Sequence, residues 1–282
     1  MKTPLDPHLI AKTNGSANPG QIYIAGKTRV TVIAPELIRV EFDPRGKFLD
    51  KATQAVWFRD CGRCDYTVRK HENHLVVKTG KASFYINPRE KKIDFVQLAG
   101  FRIDADNKDN LKGTYRTLDR AMGPVALGRG IIGRNGVAVM EDSSLILDED
   151  GTCKRRPRET DLYCFATKDH QRALFLYYQI TGAPPMIPRY ALGNWWSRYY
   201  AYTQQEYLNL MDRFAREKIP FTVATIDMDW HWVDVEKKFG YKEKLHLSPF
   251  PAGWTGYSWN TDLFPDYKGF LKELKQKNLH IT

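Results

Sequence analysis

The sequence of 282 residues contains no run of eighteen apolar residues, and its first fifteen, MKTPLDPHLIAKTNG, include no apolar segment of the kind that directs secretion. The chain is therefore expected to be soluble and cytoplasmic. Cysteine is scarce as well. Four of them cannot scaffold a chain of this size, and the Cys61-Gly62-Arg63-Cys64 pair has no second CxxC or spaced histidine pair to complete a zinc site. A redox CxxC opens a helix after a strand, whereas this one precedes the strand-like DYTVRK. The cysteines are expected as free thiols, with no metal and no cofactor. Acidic residues are outnumbered, giving a net charge of +10, which invites a nucleic-acid reading. The densest basic run, CKRRPRE at 153–159, follows DEDG as a solvated loop, and there is no helical basic face. Neither nucleic acid nor a membrane is an expected partner.

What is present suits a packed core: 42% hydrophobic residues and 13% aromatics exclude a disordered chain. The first two-thirds reads as β-structure. LIRVEF alternates Ile38, Val40 and Phe42 against Arg39 and Glu41, the period of a half-buried strand, and ASFYI repeats it with Phe84 and Ile86. GIIGRNGVAVM sets Asn135-Gly136 between apolar runs, the signal of a two-residue hairpin. ALFLYYQI, ending at Ile180, reads as a continuous apolar strand. Short strands without a convincing helix predict an antiparallel β-sandwich over residues 1–185.

The pattern changes at TGAPPMIPRY, where prolines mark a stiff connector. ALGNWW is a short strand. TQQEYLNLMDRFAREK opens with a capping box, Thr203 and Glu206, and carries Tyr207, Leu210, Met211 and Phe214 on one helical face. FTVATID is a strand, PDYKGFLKELKQKN a second helix, and LHIT a third strand. This order predicts the first part of a (β/α)8 TIM barrel over residues 186–282. A barrel stopping there leaves Val223, Ile226, Phe270 and Leu274 short of neighbours, so association into a homo-oligomer through this face is left open.

TIDMDWHW places Asp227 and Asp229 inside an aromatic run, where carboxylates are costly to bury without partners. If the strand continues that far, both point to one side at its carboxyl end, where barrel active sites lie. A metal-binding DxD is a weak motif on its own. An acid/base pair for glycoside hydrolysis needs carboxyls on opposite sides of the scissile bond, which strand neighbours are not. Positioning of a sugar by its hydroxyls, among aromatics such as Trp195, Tyr199 and Trp232, fits best.

IPRYALGNWWSRYYAYTQQEY followed by IPFTVATIDMDWHW resembles the start of the catalytic barrel of glycoside hydrolase family 31, which holds retaining α-glucosidases and α-xylosidases. FLYYQITGAPPMIPRY is similar to that family's junction between a galactose-mutarotase-like β-sandwich and the barrel. GTYRTLD and GRGIIGRNGVAVMEDSS are similar to the end of the sandwich, and GWTGYSWNTDLFPD to a loop of one bacterial branch. The resemblance implies hydrolysis of terminal α-linked glucose or xylose from oligosaccharides. Asp227 matches the aspartate that hydrogen-bonds the sugar in the −1 subsite, Met228 a neighbour packing on it, and Tyr199 an aromatic at its border. Asp119 matches an acid on a sandwich loop at the active-site mouth. Asp229 is expected either to support Asp227 at the sugar site or to belong to a buried ion pair. The family's nucleophile and acid/base follow the fourth and sixth barrel strands, so neither is expected within these residues and the chain alone is expected to be inactive. A non-catalytic carbohydrate-binding protein is the alternative, and a basic, nucleic-acid-associated domain a more distant one.

Overall fold

A computed structural model describes residues 5–113, 120–155, 159–240, 253–254 and 256–282. The chain divides into two compact units, Met1–Pro184 and Pro185–Thr282.

The first unit carries strands β1 (Ile22–Ala25), β2 (Thr28–Ala34), β3 (Leu37–Phe42), β4 (Tyr66–His71), β5 (His74–Thr79), β6 (Ala82–Asn87), β7 (Lys92–Leu98), β8 (Phe101–Asp104), β9 (Val137–Glu141), β10 (Ile146–Leu147), β11 (Cys153–Lys154) and β12 (Thr160–Ala166). One antiparallel sheet has the order β1-β2-β3-β12-β9; the other is a meander of β4 to β8. Val30, Val40, Phe42 and Leu162 of the first sheet join Val77, Phe84, Ile86 and Val96 of the second in one apolar cluster. Period-2 alternation sends these side chains to the shared side.

Three expectations are corrected here. ALFLYYQI is not a strand but most of helix α1 (His170–Thr181), whose start Asp169 caps by accepting hydrogen bonds from the Gln171 and Arg172 amides. Its buried residues, Ala173, Leu176 and Ile180, recur at three- and four-residue spacing. They pack with Ile33, Leu37, Val56, Tyr163 and Phe165 on the other side of the first sheet. That covering explains the second correction: β3 is buried on both faces, not half-exposed. Arg39 donates to Asp161 at 2.7 and 2.8 Å and meets Glu41 at 2.9 Å, while Arg29 binds Glu41 at 2.5 Å. Burial works against its charge, yet Asp161, Tyr163 and Glu41 hold the Arg39 guanidinium well above its ordinary value.

The third correction concerns Asn135-Gly136. The turn forms, with the Gly136 amide donating to the Gly133 carbonyl, but the pair occupies its third and fourth positions. Neither Arg134 nor Asn135 has positive φ, so it is not a primed hairpin turn, and β9 pairs with β12. Ala99-Gly100, with φ of 51° and 83°, is a two-residue turn of the primed kind, joining β7 to β8.

In the second unit, β13 (Asn194–Trp196), β14 (Phe221–Ala224) and β15 (His280–Ile281) form a parallel sheet in that order. Between the first two lies α2 (Gln204–Arg216); between the last two lie α3 (Val235–Phe239) and α4 (Tyr267–Gln276). The capping box is complete: Thr203 Oγ1 accepts from the Glu206 amide, and the Glu206 carboxylate accepts from the Thr203 amide. Tyr207, Leu208 and Met211 of α2 pack with Ala224, Phe270 and Leu274. Val223, Phe270 and Leu274, expected to lack neighbours, are at most 1% exposed; Leu192 and Trp195 carry exposed apolar surface instead. No described helix is long and apolar enough to cross a membrane.

Candidate functional site

The ladder of β14 runs slightly past its last residue. The Thr225 amide donates to the Trp196 carbonyl and the Ile226 amide to the Thr282 carbonyl, and the chain then leaves the sheet. Asp227 is where it turns, capping a 3-10 turn over Met228–Trp230 with its carboxylate on the Met228 amide at 2.8 Å. The strand therefore does not extend to Asp229, and the two aspartates are not strand neighbours. They nevertheless line one cavity, with Tyr200, Tyr202, Tyr207 and Trp230 among its walls.

The turn is braced on both sides. Asn260 donates its amide to the Trp230 carbonyl, Trp232 donates to the Ser258 carbonyl, and His231 bridges to Trp259. Trp259 stacks on Tyr267 at 4.8 Å and meets the edge of Trp230 at 5.0 Å. From beneath, Tyr207 donates its hydroxyl to the Thr225 carbonyl at 2.8 Å. Burial raises the Tyr207 phenol, so it stays a donor. Burial and the adjacent Asp227 raise the Asp229 carboxyl, with His231 opposing. The cavity holds only about 10 Å³, room for one water, so a sugar would meet the carboxylates at its mouth.

Of the other candidates, Met228 is half-buried in the turn. Tyr199 is 74% exposed and is not a wall of this cavity. Trp195 points its indole NH to the Ala191 carbonyl at 3.1 Å. Trp232 lies edge-on to Phe239 at 5.2 Å with Lys238 over its face. Asp119 falls outside the described residues, as do most of GTYRTLD and Arg156–Arg158 of the basic run. Cys61 and Cys64 pack against different clusters, and burial raises both thiols. All four cysteines are free, and no group of three or more metal-binding side chains occurs among the described residues.

The sequence reading counts Tyr200 among the aromatics around the two aspartates but misses Tyr202 and the hydroxyl of Tyr207. Tyr207 reads as an apolar stripe residue, although a phenol buried on a helix needs a hydrogen-bond partner, and this one finds it two residues before Asp227.

Residues 184–282 match the family model described as the glycosyl hydrolases family 31 TIM-barrel domain. Among curated proteins, alpha-glucosidase 2 of Bacillus thermoamyloliquefaciens is 27% identical over 122 residues, 43% of this chain and 13% of that protein. An alpha-xylosidase of Emericella nidulans is 21% identical over 126 residues, 44% of this chain and 14% of that protein. Among solved structures, a family 31 alpha-xylosidase from a soil metagenome, complexed with xylose, superposes with a TM-score of 0.52 at 15% identity. It covers 92% of this chain and 45% of its own. A Flavobacterium johnsoniae family 31 dextranase complexed with glucose gives 0.52 and 15%, over 92% of this chain and 36% of its own. The alignments thus span about a seventh of these two curated relatives and less than half of these structures. Residues 184–282 of this chain are therefore similar to the barrel domain of glycosyl hydrolase family 31.

Proposed function

We propose that the whole protein is a retaining α-glycosidase that releases terminal α-linked glucose or xylose from oligosaccharides. Asp227 accepts hydrogen bonds from the sugar hydroxyls, and Met228, Tyr199, Trp195 and Trp232 border the sugar. Asp229 is assigned to the same site. In this reading residues 1–185 are a galactose-mutarotase-like β-sandwich and residues 186–282 the first part of a (β/α)8 barrel. One observation carries it: two carboxylates stand in an aromatic-walled cavity at the carboxyl end of a parallel strand, inside the segment that matches the barrel model.

Asp227 and Asp229 lie two residues apart on one turn, so they approach a ligand from one direction. Retaining hydrolysis needs a nucleophile and an acid facing each other across the scissile bond. We assign these two to positioning and expect no turnover of a chromogenic α-glucoside or α-xyloside by the 282 residues alone. The free thiols support a cytoplasmic setting. In the full-length enzyme, Asp227→Ala should lower kcat/KM about a hundredfold or more, because bonds to sugar hydroxyls tighten in the transition state. An unchanged kcat/KM would show that Asp227 only caps its turn.

A further inference from the structure

We infer that the first unit carries a second, non-catalytic site for an α-linked oligosaccharide, laid across edge strand β8. Two cavities flank this strand, of about 550 and 490 Å³, each within the range of small-ligand sites. Arg102 and Asp104 line both, so they form one trough across the strand. In the second cavity Phe101 is 64% exposed, held by the primed Ala99-Gly100 turn at the hairpin tip. Lys168 lies 5.3 Å from the ring on one side. An aromatic ring this open on a rigid hairpin offers the flat apolar surface on which the C–H face of a pyranose packs.

Around the ring stand donors and acceptors with no side-chain hydrogen bond or ion pair among the described residues: Asp109, Arg134 and the Lys168 ammonium. Arg102 lies 3.8 Å over the Phe95 ring and 3.6 Å from Asp104, which fixes the strand between the two cavities. Charge selects the ligand class. With histidine neutral, the trough has four fixed cations and five carboxylates, so it sets up no field for a polyanion. A neutral polyol, which donates and accepts at each hydroxyl, suits such a mixed lining. The choice of α-linked glycans rests on the function proposed above, and a site here would hold a polymeric substrate near the enzyme without taking part in the reaction.

The test is calorimetric titration of the 282-residue chain with isomaltotriose and maltotriose, repeated with Phe101→Ala, Arg134→Ala and Asp227→Ala. Phe101 and Arg134 are exposed, and unchanged circular dichroism will confirm that these variants fold. The expected result is saturable binding that Phe101→Ala weakens about tenfold and Arg134→Ala weakens less, both in the wild-type chain and in a chain that already carries Asp227→Ala. Absence of saturable binding, binding indifferent to Phe101→Ala, or binding lost only in Asp227→Ala would each overturn the proposal. Binding lost only in Asp227→Ala would leave the function proposed for the second unit standing, and full-length kinetics test that function separately.

Discussion

Replacing Arg39 with methionine puts a number on the buried ionic row of the first unit. The Arg39 and Asp161 side chains are 1% and 0% exposed, and the substitution removes both guanidinium hydrogen bonds that Asp161 receives. Breaking a buried pair by deleting one partner costs about 3–5 kcal/mol, because the remaining charge stays desolvated. Glu41 keeps Arg29 at 2.5 Å, so only Asp161 loses its guanidinium and the lower end of that range applies, about 3 kcal/mol. For a unit of this size that corresponds to a Tm lower by roughly 6–12 °C. Arg39→Met combined with Asp161→Leu removes both charges and should recover much of the loss, with a coupling energy of about 2 kcal/mol or more. Guanidinium unfolding followed by circular dichroism measures all four corners of the cycle. A single-variant loss under about 1 kcal/mol, or a double variant equal to the sum of the singles, would refute the idea that these charges depend on each other.

Asp229 gives a pH-dependent prediction. Its carboxyl is raised in the folded chain, so the fold favours the neutral form and the ionised form weakens it above the ordinary carboxylate range. Asp229→Asn should raise the Tm of the second unit at pH 7, and the gain should fade as pH drops below about 4; an equal gain at every pH would place the effect elsewhere. Thr203→Ala removes one half of the capping box and should destabilise the second unit by about 1 kcal/mol in urea unfolding. Leu176→Ala, at a fully buried position of α1, should cost the first unit about 2–5 kcal/mol. A loss below about 1 kcal/mol would mean that α1 does not cover the sheet.

The second unit was legible in sequence wherever local chemistry and periodicity agreed. Thr203 with Glu206 fixed the start of α2, and the stripe through Tyr207 and Met211 set its buried face. In α1 they disagreed. ALFLYYQI is apolar nearly throughout, which hides the spacing of Ala173, Leu176 and Ile180, and the cap at Asp169 lies just outside the run. LIRVEF alternates polar and apolar residues, yet nothing local reveals that Arg39 meets Asp161, 122 positions away. At the candidate site, the strand pattern carried the reading two residues too far. The Asp227 carboxylate turns the chain by bonding the Met228 amide, and aspartates do this often at helix starts. The pairing of the two aspartates in one cavity depends on that turn and on the brace at Trp259, which no residue spacing encodes.

The order in which the two sheets can be completed follows from the same long-range pair. The meander of β4 to β8 closes through short hairpins, so each strand finds its neighbour soon after it is made. Strand β3 must wait for β12. At roughly 5–20 residues per second, a ribosome takes about 6–24 s to synthesise the 122 positions from Arg39 to Asp161. Throughout that interval one edge of β3 has no partner and carries Arg39 and Glu41, whose hydrated charges discourage pairing with a strand from another nascent chain. The ionic row that packs the finished sheet thus also protects the half-made one, and Arg39→Met should lower the soluble yield of the expressed chain by more than its loss of equilibrium stability accounts for.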